Sequence, residues 1–220
     1  MDMGSDPHAR GATVTAGVAP EEAALTVVLI HGRGASARSI LSIAPEIAPE
    51  NAALAWIAPE AAGQTWEPDA VLERMERNQP WLDSALRRIA ATVDGLLARK
   101  VPAERIALLG FSQGACLATE FAARHTRRYA GVIGLSGGLI GPPGTPRVYP
   151  GDLAGTPVFL GCSDPDPHIP FERVEETAAV LRRMGAVVDL RRYPGLGHTV
   201  NADEVAAVRA LLQGAVAAVG

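Results

Sequence analysis

The sequence predicts an α/β fold in which a mostly parallel sheet is covered by helices on both faces. Short apolar runs alternate along the chain with amphipathic helical patterns, and the first run, LTVVLI, is rich in β-branched residues. Neither an internal repeat nor a linker interrupts this series. Strands separated by helices need crossover connections and therefore pair in parallel. A chain of 220 residues is long enough to bury one sizeable core.

A tail precedes the predicted domain. Residues 1–24 are rich in Gly, Ala and Pro, a composition that favours irregular backbone. We expect this tail to be partly flexible or to contain a short edge strand at 12–18. Because no linker composition appears after the tail, residues 25–220 are predicted to form a single domain.

The elements of the domain follow from local patterns. Ser36 or Ser39 can cap a short helix that Pro45 helps to end. Residues 59–80 show no clean period and predict a long connection, whereas apolar residues recur at three- and four-residue steps from Trp81 onward and predict a long helix. The same criteria predict strands at 25–30, 53–58, 105–110, 130–135, 156–161 and 187–193, and further helices at 113–124, 171–185 and 201–218.

Composition and charge exclude several classes of function. The chain carries 20 basic and 24 acidic residues, and its net charge of −4 gives no basic field for nucleic acid or anionic lipid. Its longest apolar stretches are well below the roughly 20 residues of a membrane span, and its amino terminus lacks the pattern of a secretory signal. Because the two cysteines lie far apart and form no C-x-x-C motif, we expect reduced thiols and a cytoplasmic location. No set of His, Cys, Asp and Glu residues has the spacing of metal ligands, and we expect neither a metal site nor a cofactor. The sequence leaves a homodimer open.

The segment GFSQGACLATEF contains the first candidate for catalysis. Ser112 follows the predicted strand RIALLG and begins a predicted helix, which is the strand–turn–helix setting of a nucleophile elbow. A second Gly-x-Ser-x-Gly match surrounds Ser136, but the Gly- and Pro-rich residues that follow it cannot continue as a helix. Ser112 is therefore the predicted nucleophile.

A nucleophilic serine needs a base, and the base needs an acid that orients it. Among the five histidines, only His198 combines a loop after a strand with the last place in the chain order of serine, acid and histidine. The acid is expected in the loop GCSDPDPHIP, where Asp164 and Asp166 each precede a proline. Spacing alone does not separate these two aspartates.

Two main-chain N–H groups are expected to stabilise the negative charge that develops on the attacked carbonyl oxygen. One belongs to Gln113, the residue after the predicted nucleophile. The other belongs to the segment HGRGAS, where Gly32 and Gly34 let the backbone approach closely. Arg33 is the predicted donor in that segment, through its main chain.

These motifs resemble those of the carboxylesterase/phospholipase family of α/β hydrolases, which includes bacterial esterases and acyl-protein thioesterases. HGRGAS resembles the oxyanion segment of the family, GFSQGA its nucleophile elbow, DPHIP its Asp-Pro-x-Val-Pro acid loop and GLGH its histidine loop. The resemblance extends from about Leu25 to the end of the chain. It implies the α/β-hydrolase fold and, through the acid loop, it favours Asp166 over Asp164.

The chain departs from the family at one pocket position. Acyl-protein thioesterases carry a leucine where this chain has Arg33, which speaks against lysophospholipid or palmitoyl-protein substrates. The guanidinium could suit a polar or anionic group on the substrate, or it could simply reach solvent. QTWEP resembles the bacterial members, in which a tryptophan lies near the pocket. Trp66 is therefore a candidate substrate-binding residue, with core packing as the alternative.

The predicted function is a serine esterase that hydrolyses ester or thioester bonds of small to medium acyl groups through an acyl-enzyme, with a small-molecule ester as its partner. Three alternatives stay open. The first is dienelactone-hydrolase-like activity, whose enzymes carry a cysteine at the elbow. The second is lysophospholipase or thioesterase activity. The third is a non-catalytic binding module on a hydrolase scaffold, which would usually lack one of the three side chains.

Overall fold

A seven-stranded sheet runs through residues 6–219, the part of the chain that this computed structural model describes. Its strands are β1 Thr13–Gly17, β2 Leu25–Ile30, β3 Leu54–Pro59, β4 Ile106–Phe111, β5 Gly131–Leu135, β6 Pro157–Asp164 and β7 Val187–Pro194. The helices are α1 Ala37–Leu41, α2 Ala44–Ile47, α3 Trp81–Ala98, α4 Gln113–Arg124, α5 Phe171–Arg183 and α6 Ala202–Val219.

The strands are ordered β1-β3-β2-β4-β5-β6-β7 across the sheet. Among the strands of residues 6–219, only β1 is antiparallel to its neighbour, β3, and every other pair is parallel. The mostly parallel sheet that the alternation of elements predicted is therefore confirmed. Because parallel strands end at the same edge, the loops after β2, β4, β6 and β7 all emerge on one side of the molecule.

Apolar cores lie on both faces of the sheet. Along β2, Val28 and Ile30 belong to a cluster that also contains apolar residues of α3, α4 and α5. Val27 and Leu29 point to the opposite face, where they join apolar residues of α1, α2 and α6. This alternation is the side-chain period of a strand, and burial on both faces explains why the sequence of β2 is apolar throughout.

The short helices after β2 differ from the prediction in one respect. Ser36 and Ser39 act together as a capping box at the start of α1, because each side chain accepts the main-chain N–H of the other. Pro45 does not end this helix. It lies in the first turn of the separate helix α2, where the missing N–H of proline would have had no helical partner.

The described part of the tail packs against the domain. His8 is completely buried, its main-chain N–H donates to Ser84 Oγ at 2.8 Å, and its ring contacts the rings of Trp66 and Trp81. Strand β1 then pairs with β3 at the edge of the sheet. Within residues 6–219, each helix is too short or too polar to cross a lipid bilayer.

Candidate active site

The loops that carry the predicted site residues meet at the carboxyl ends of the parallel strands. In the sheet register Ile30 of β2 lies opposite Gly110 of β4, so the HGRGAS loop begins beside the turn that contains Ser112. On the other side, Asp164 at the end of β6 lies opposite Pro194 at the end of β7. The sheet therefore brings together segments that are far apart in the sequence.

Ser112 occupies a tight turn between β4 and α4. Its backbone has φ 55° and ψ −122°, a conformation that costs a non-glycine residue about 1–3 kcal/mol. Gly110 and Gly114 make the turn sterically feasible. A Cβ atom at Gly110 would lie 2.1 Å from the carbonyl oxygen of Gly114, and one at Gly114 would lie 2.0 Å from that of Ile30. The turn presents the hydroxyl of Ser112 at the amino-terminal end of α4.

Three predicted side chains form a continuous hydrogen-bonded chain. His198 Nε2 lies 2.8 Å from Ser112 Oγ, and His198 Nδ1 lies 2.7 Å from Asp166 Oδ2. A carboxylate can only accept a hydrogen bond, so Nδ1–H is the donor to Asp166 and Nε2 is left to accept the hydroxyl proton of Ser112. This is the arrangement in which an imidazole can act as a base towards a serine.

Asp166 is held as an anion. Burial alone would raise the pKa of this carboxyl, but the hydrogen bond from His198 and those from two main-chain N–H groups outweigh burial and lower its pKa below the usual value. The two N–H groups belong to His168 and Ile169, and both donate to Oδ1, at 2.8 and 2.9 Å. Asp164 lies elsewhere: its half-exposed carboxylate pairs with Arg192 at 3.3 Å.

Two main-chain N–H groups beside Ser112 are unpaired. Within residues 6–219, no oxygen or nitrogen accepts the main-chain N–H of Arg33 or that of Gln113. Both residues line the same cavity as Ser112 and His198. Unpaired N–H groups at this place could bind a negatively charged oxygen, as expected of an oxyanion hole.

The cavity above Ser112 has a volume of about 300 Å³. Apart from the residues already placed there, its lining is mostly apolar, with Phe111 and His168 as neighbours of the His198 ring at centroid distances of 5.1 and 4.7 Å. The remaining lining residues are Gly32, Ala35, Ala70, Val71 and Ile169. Phe111 and His168 were not predicted as pocket residues, although both lie within the motifs GFSQGA and DPHIP.

Trp66, a candidate for substrate binding or for core packing, is not among the residues that line the cavity. Its side chain is completely buried, and its indole N–H donates to the carbonyl oxygen of His31 at 2.9 Å. The indole packs between the rings of His8 and His31, at centroid distances of 5.2 and 5.1 Å. Trp66 therefore supports the HGRGAS loop from behind and belongs to the core, which was the alternative interpretation.

The side chain of Gln113 links the segment that contains Trp66 to the turn that contains Ser112. Oε1 accepts the main-chain N–H of Trp66 at 2.9 Å, and Nε2 donates to the carbonyl oxygen of Glu67 at 3.0 Å. His31 adds a further link, because its Nε2 accepts the N–H of Ala61 at 3.1 Å and its Nδ1–H donates to Gly32. Burial lowers the pKa of His31, in keeping with the neutral ring that these bonds require.

The second serine motif is not accessible. Ser136 is completely buried and also has a positive φ, 53°. A substrate cannot reach its hydroxyl without local unfolding. Within residues 6–219, moreover, no group of three or more His, Cys, Asp or Glu side chains could hold a metal ion.

Comparison with known proteins identifies the family to which the chain belongs. The model of the phospholipase/carboxylesterase family matches residues 11–215. The chain belongs to this family. A crystal structure of a family member from Dyadobacter fermentans is 39% identical, has a TM-score of 0.87, and aligns over 92% of this chain and 96% of that one. The α/β-hydrolase fold predicted from the motifs is therefore confirmed.

Curated relatives match shorter parts of the chain. Acyl-protein thioesterase 1 of Gibberella zeae is 35% identical over 112 residues, which are 50% of this chain and 48% of that protein. A putative esterase of Nocardia uniformis is 31% identical over 172 residues, 76% of this chain and 46% of that protein. The chain spans about half the length of the curated relatives it matches.

Glu67 is a buried acid next to the site, but it does not line the cavity. The side chain of Glu67 is completely enclosed, and neither carboxyl oxygen has a hydrogen-bond partner within residues 6–219. Burial raises the pKa of Glu67 to about 8, although the positive charge of Arg33 partly opposes the shift. Glu67 is therefore mostly protonated in the folded protein at neutral pH.

We expect Glu67→Gln to remove a pH-dependent loss of stability. Between about pH 5 and pH 8 the unfolded chain releases the proton of Glu67 while the folded chain retains it, so the free energy of unfolding falls as pH rises. From the lower to the higher of these pH values, the free energy of unfolding of the variant relative to that of the wild type should rise by on the order of 3 kcal/mol. Urea unfolding at the two pH values measures this difference. The exposed Glu22→Gln is the matched control, and an equal gain there would contradict the assignment.

Proposed function

We propose that this protein is a serine esterase that hydrolyses ester or thioester bonds of small to medium acyl groups. The observation that carries the proposal is the unbroken set of contacts from Asp166 through His198 to Ser112, beside two unpaired N–H groups. Membership of a family with carboxylesterases and acyl-protein thioesterases among its named proteins supports the same reaction.

In the acylation step the hydroxyl of Ser112 attacks the carbonyl carbon while its proton passes to His198 Nε2. Asp166 accepts the Nδ1–H of the imidazolium and stabilises its charge. The N–H groups of Arg33 and Gln113 bind the oxyanion of the tetrahedral intermediate. When that intermediate collapses, His198 returns the proton to the departing alcohol or thiol, and the acyl group remains bonded to Ser112.

In the deacylation step a water molecule replaces the departed alcohol or thiol. His198 accepts a proton from the water as its oxygen attacks the acyl carbon, and the same two N–H groups bind the second oxyanion. Collapse of this intermediate breaks the bond to Ser112, and the proton on His198 restores the serine hydroxyl. The products are a carboxylic acid and the free enzyme.

The size and lining of the cavity favour small to medium acyl groups. The cavity above Ser112, with a volume of about 300 Å³, is at the lower end of the range for small-molecule sites, and a second cavity of about 450 Å³ also borders Phe111 and His198. Arg33 lines the cavity at the position where acyl-protein thioesterases carry a leucine, so a long apolar chain would meet a charged group. We also propose a cytoplasmic location, because both cysteines are buried and free.

The alternative activities receive less support from the site. A dienelactone-hydrolase-like enzyme would carry a cysteine at the elbow, where this chain has Ser112. A non-catalytic module would not need three side chains within hydrogen-bond distance of one another. Thioester hydrolysis uses the same steps as ester hydrolysis and is part of the proposal.

Covalent labelling tests the proposed nucleophile. Diethyl p-nitrophenyl phosphate should react once per chain, with Ser112 Oγ bonding to phosphorus as p-nitrophenolate leaves, and peptide mass spectrometry should find the adduct on Ser112. Ser136→Ala should be labelled like the wild type, and Ser112→Ala should not be labelled. In parallel, p-nitrophenyl esters from acetate to hexadecanoate should be hydrolysed best at short to medium chain lengths. Labelling of another serine, or no hydrolysis of any ester, would contradict the proposal.

A further inference from the structure

The side chain of Arg33 carries an unneutralised charge at the cavity. Its Nη1 donates to the carbonyl oxygen of Pro68 at 2.8 Å, and its Nη2 donates to that of Asp69 at 2.5 Å. Both acceptors are neutral main-chain groups, and within residues 6–219 no carboxylate forms an ion pair with Arg33. Because a guanidinium has five N–H donors, these two bonds fix its position and leave donors for a ligand.

The acidic groups near Arg33 are engaged or uncharged. The carboxylate of Asp69 pairs with Arg77 at 2.9 Å. Glu67 is close enough to interact with Arg33, but burial raises its pKa to about 8 and keeps it mostly neutral. Asp166 is enclosed behind His198. The lining of the cavity contains no Asp or Glu side chain among the described residues. Arg33 is one of the lining residues, and its exposed guanidinium is held at the main chain of residues 68 and 69, next to the lining residues Ala70 and Val71.

A second polar side chain lines the same cavity. His168 is exposed, and its ring makes no hydrogen bond to any residue between 6 and 219. Its ring centroid lies 4.7 Å from that of His198, so it borders the reacting atoms. An imidazole N–H at this place can donate to a polar group of a bound molecule.

We propose that the substrates of this enzyme are esters that carry a carboxylate near the scissile bond, and that the Arg33 guanidinium binds this carboxylate. This inference rests on the proposed esterase function. A guanidinium pairs with a carboxylate through two parallel N–H···O bonds, which a neutral or purely apolar group cannot form. The main chain of Arg33 binds the developing oxyanion while its side chain selects the substrate.

Matched ester pairs test the proposal. On the acyl side, the p-nitrophenyl monoester of glutarate is compared with p-nitrophenyl 5-methylhexanoate, which has the same shape without the charge. On the leaving-group side, p-carboxyphenyl acetate is compared with p-isopropylphenyl acetate. The readout is the ratio of kcat/KM for the charged ester to that for the uncharged one, because damage to the oxyanion hole cancels within one variant.

Arg33→Gln should lower this ratio about tenfold on one of the two sides, since it removes a charge-assisted hydrogen bond. Arg33→Lys should retain a larger part of the preference, because it keeps the charge and loses the paired geometry. In the wild type, raising NaCl from about 50 mM to about 500 mM should also reduce the ratio by screening.

The exposed Arg38→Gln is the matched control, because it removes the same charge from α1 at a residue outside the cavity lining. Its ratios should equal those of the wild type. The inference would be overturned if Arg33→Gln left the ratios unchanged on both sides, or if Arg38→Gln lowered them equally, in preparations that still showed Ser112-dependent hydrolysis. The absence of any Ser112-dependent hydrolysis would instead overturn the esterase proposal on which the inference rests.

Discussion

Ser112→Ala should lower kcat for p-nitrophenyl butyrate by about 10⁵-fold or more, with little change in stability. The substitution removes the atom that bonds to the acyl carbon, so the acyl-enzyme cannot form. His198 would then be left without its 2.8 Å partner, and only direct attack by water would remain. Residual rate from the oxyanion hole and substrate binding should still exceed the uncatalysed reaction.

The matched control for this prediction is Ser136→Ala. The two serines share the Gly-x-Ser-x-Gly pattern and a positive φ, but Ser136 is completely buried and lies outside the cavity lining. Its variant should hydrolyse the ester at close to the wild-type rate, as followed by release of p-nitrophenolate. If Ser112→Ala retained activity and Ser136→Ala lost it, the reaction would belong to the motif around Ser136, and our assignment would be wrong.

Asp166→Asn should lower kcat by about 10⁴-fold. Oδ1 of Asp166 accepts the N–H groups of His168 and Ile169, so the oxygen of the new amide is held at that position. Its NH₂ group would then face His198 Nδ1 and would favour the tautomer whose proton is on Nε2. In that tautomer the imidazole donates to Ser112 and cannot accept its proton.

Asp164→Asn tests whether this loss is specific. Its carboxylate forms an ion pair with Arg192 on a partly exposed surface, and such pairs contribute about 0–1 kcal/mol. We expect near wild-type kcat and a small change in the urea midpoint. A larger loss of kcat in Asp164→Asn than in Asp166→Asn would show that Asp164, and not Asp166, orients the base.

Local patterns were sufficient to predict the sheet and most helices. The apolar run of β2 and the period of α3 depend on burial of nearby residues, and both appear close to the predicted positions. Chain order and loop position predicted the meeting of Ser112 and His198. They could not separate Asp164 from Asp166, because these residues differ in their contacts in the folded protein. The carboxylate of Asp166 faces His198 in the loop after β7 and accepts main-chain N–H groups that follow Asp166 in the chain.

Interactions between distant segments account for what the sequence did not reveal. The setting of Trp66 depends on His8, 58 residues away, whose Nε2–H donates to its carbonyl oxygen. No periodic pattern in either segment indicates this contact. The position of His168 beside His198 likewise requires the β6 and β7 loops to be adjacent, which only the order of strands across the sheet establishes.

The two proposed roles of Arg33 have a consequence for how this protein can change. In the proposed reaction the peptide N–H of this residue binds the oxyanion, and nineteen of the twenty amino acids would supply that N–H. Under these two proposals, substrate selection by the side chain is separable from oxyanion binding by the backbone. A single codon change at this position could redirect the enzyme to a different set of molecules while the chemistry above Ser112 remained intact.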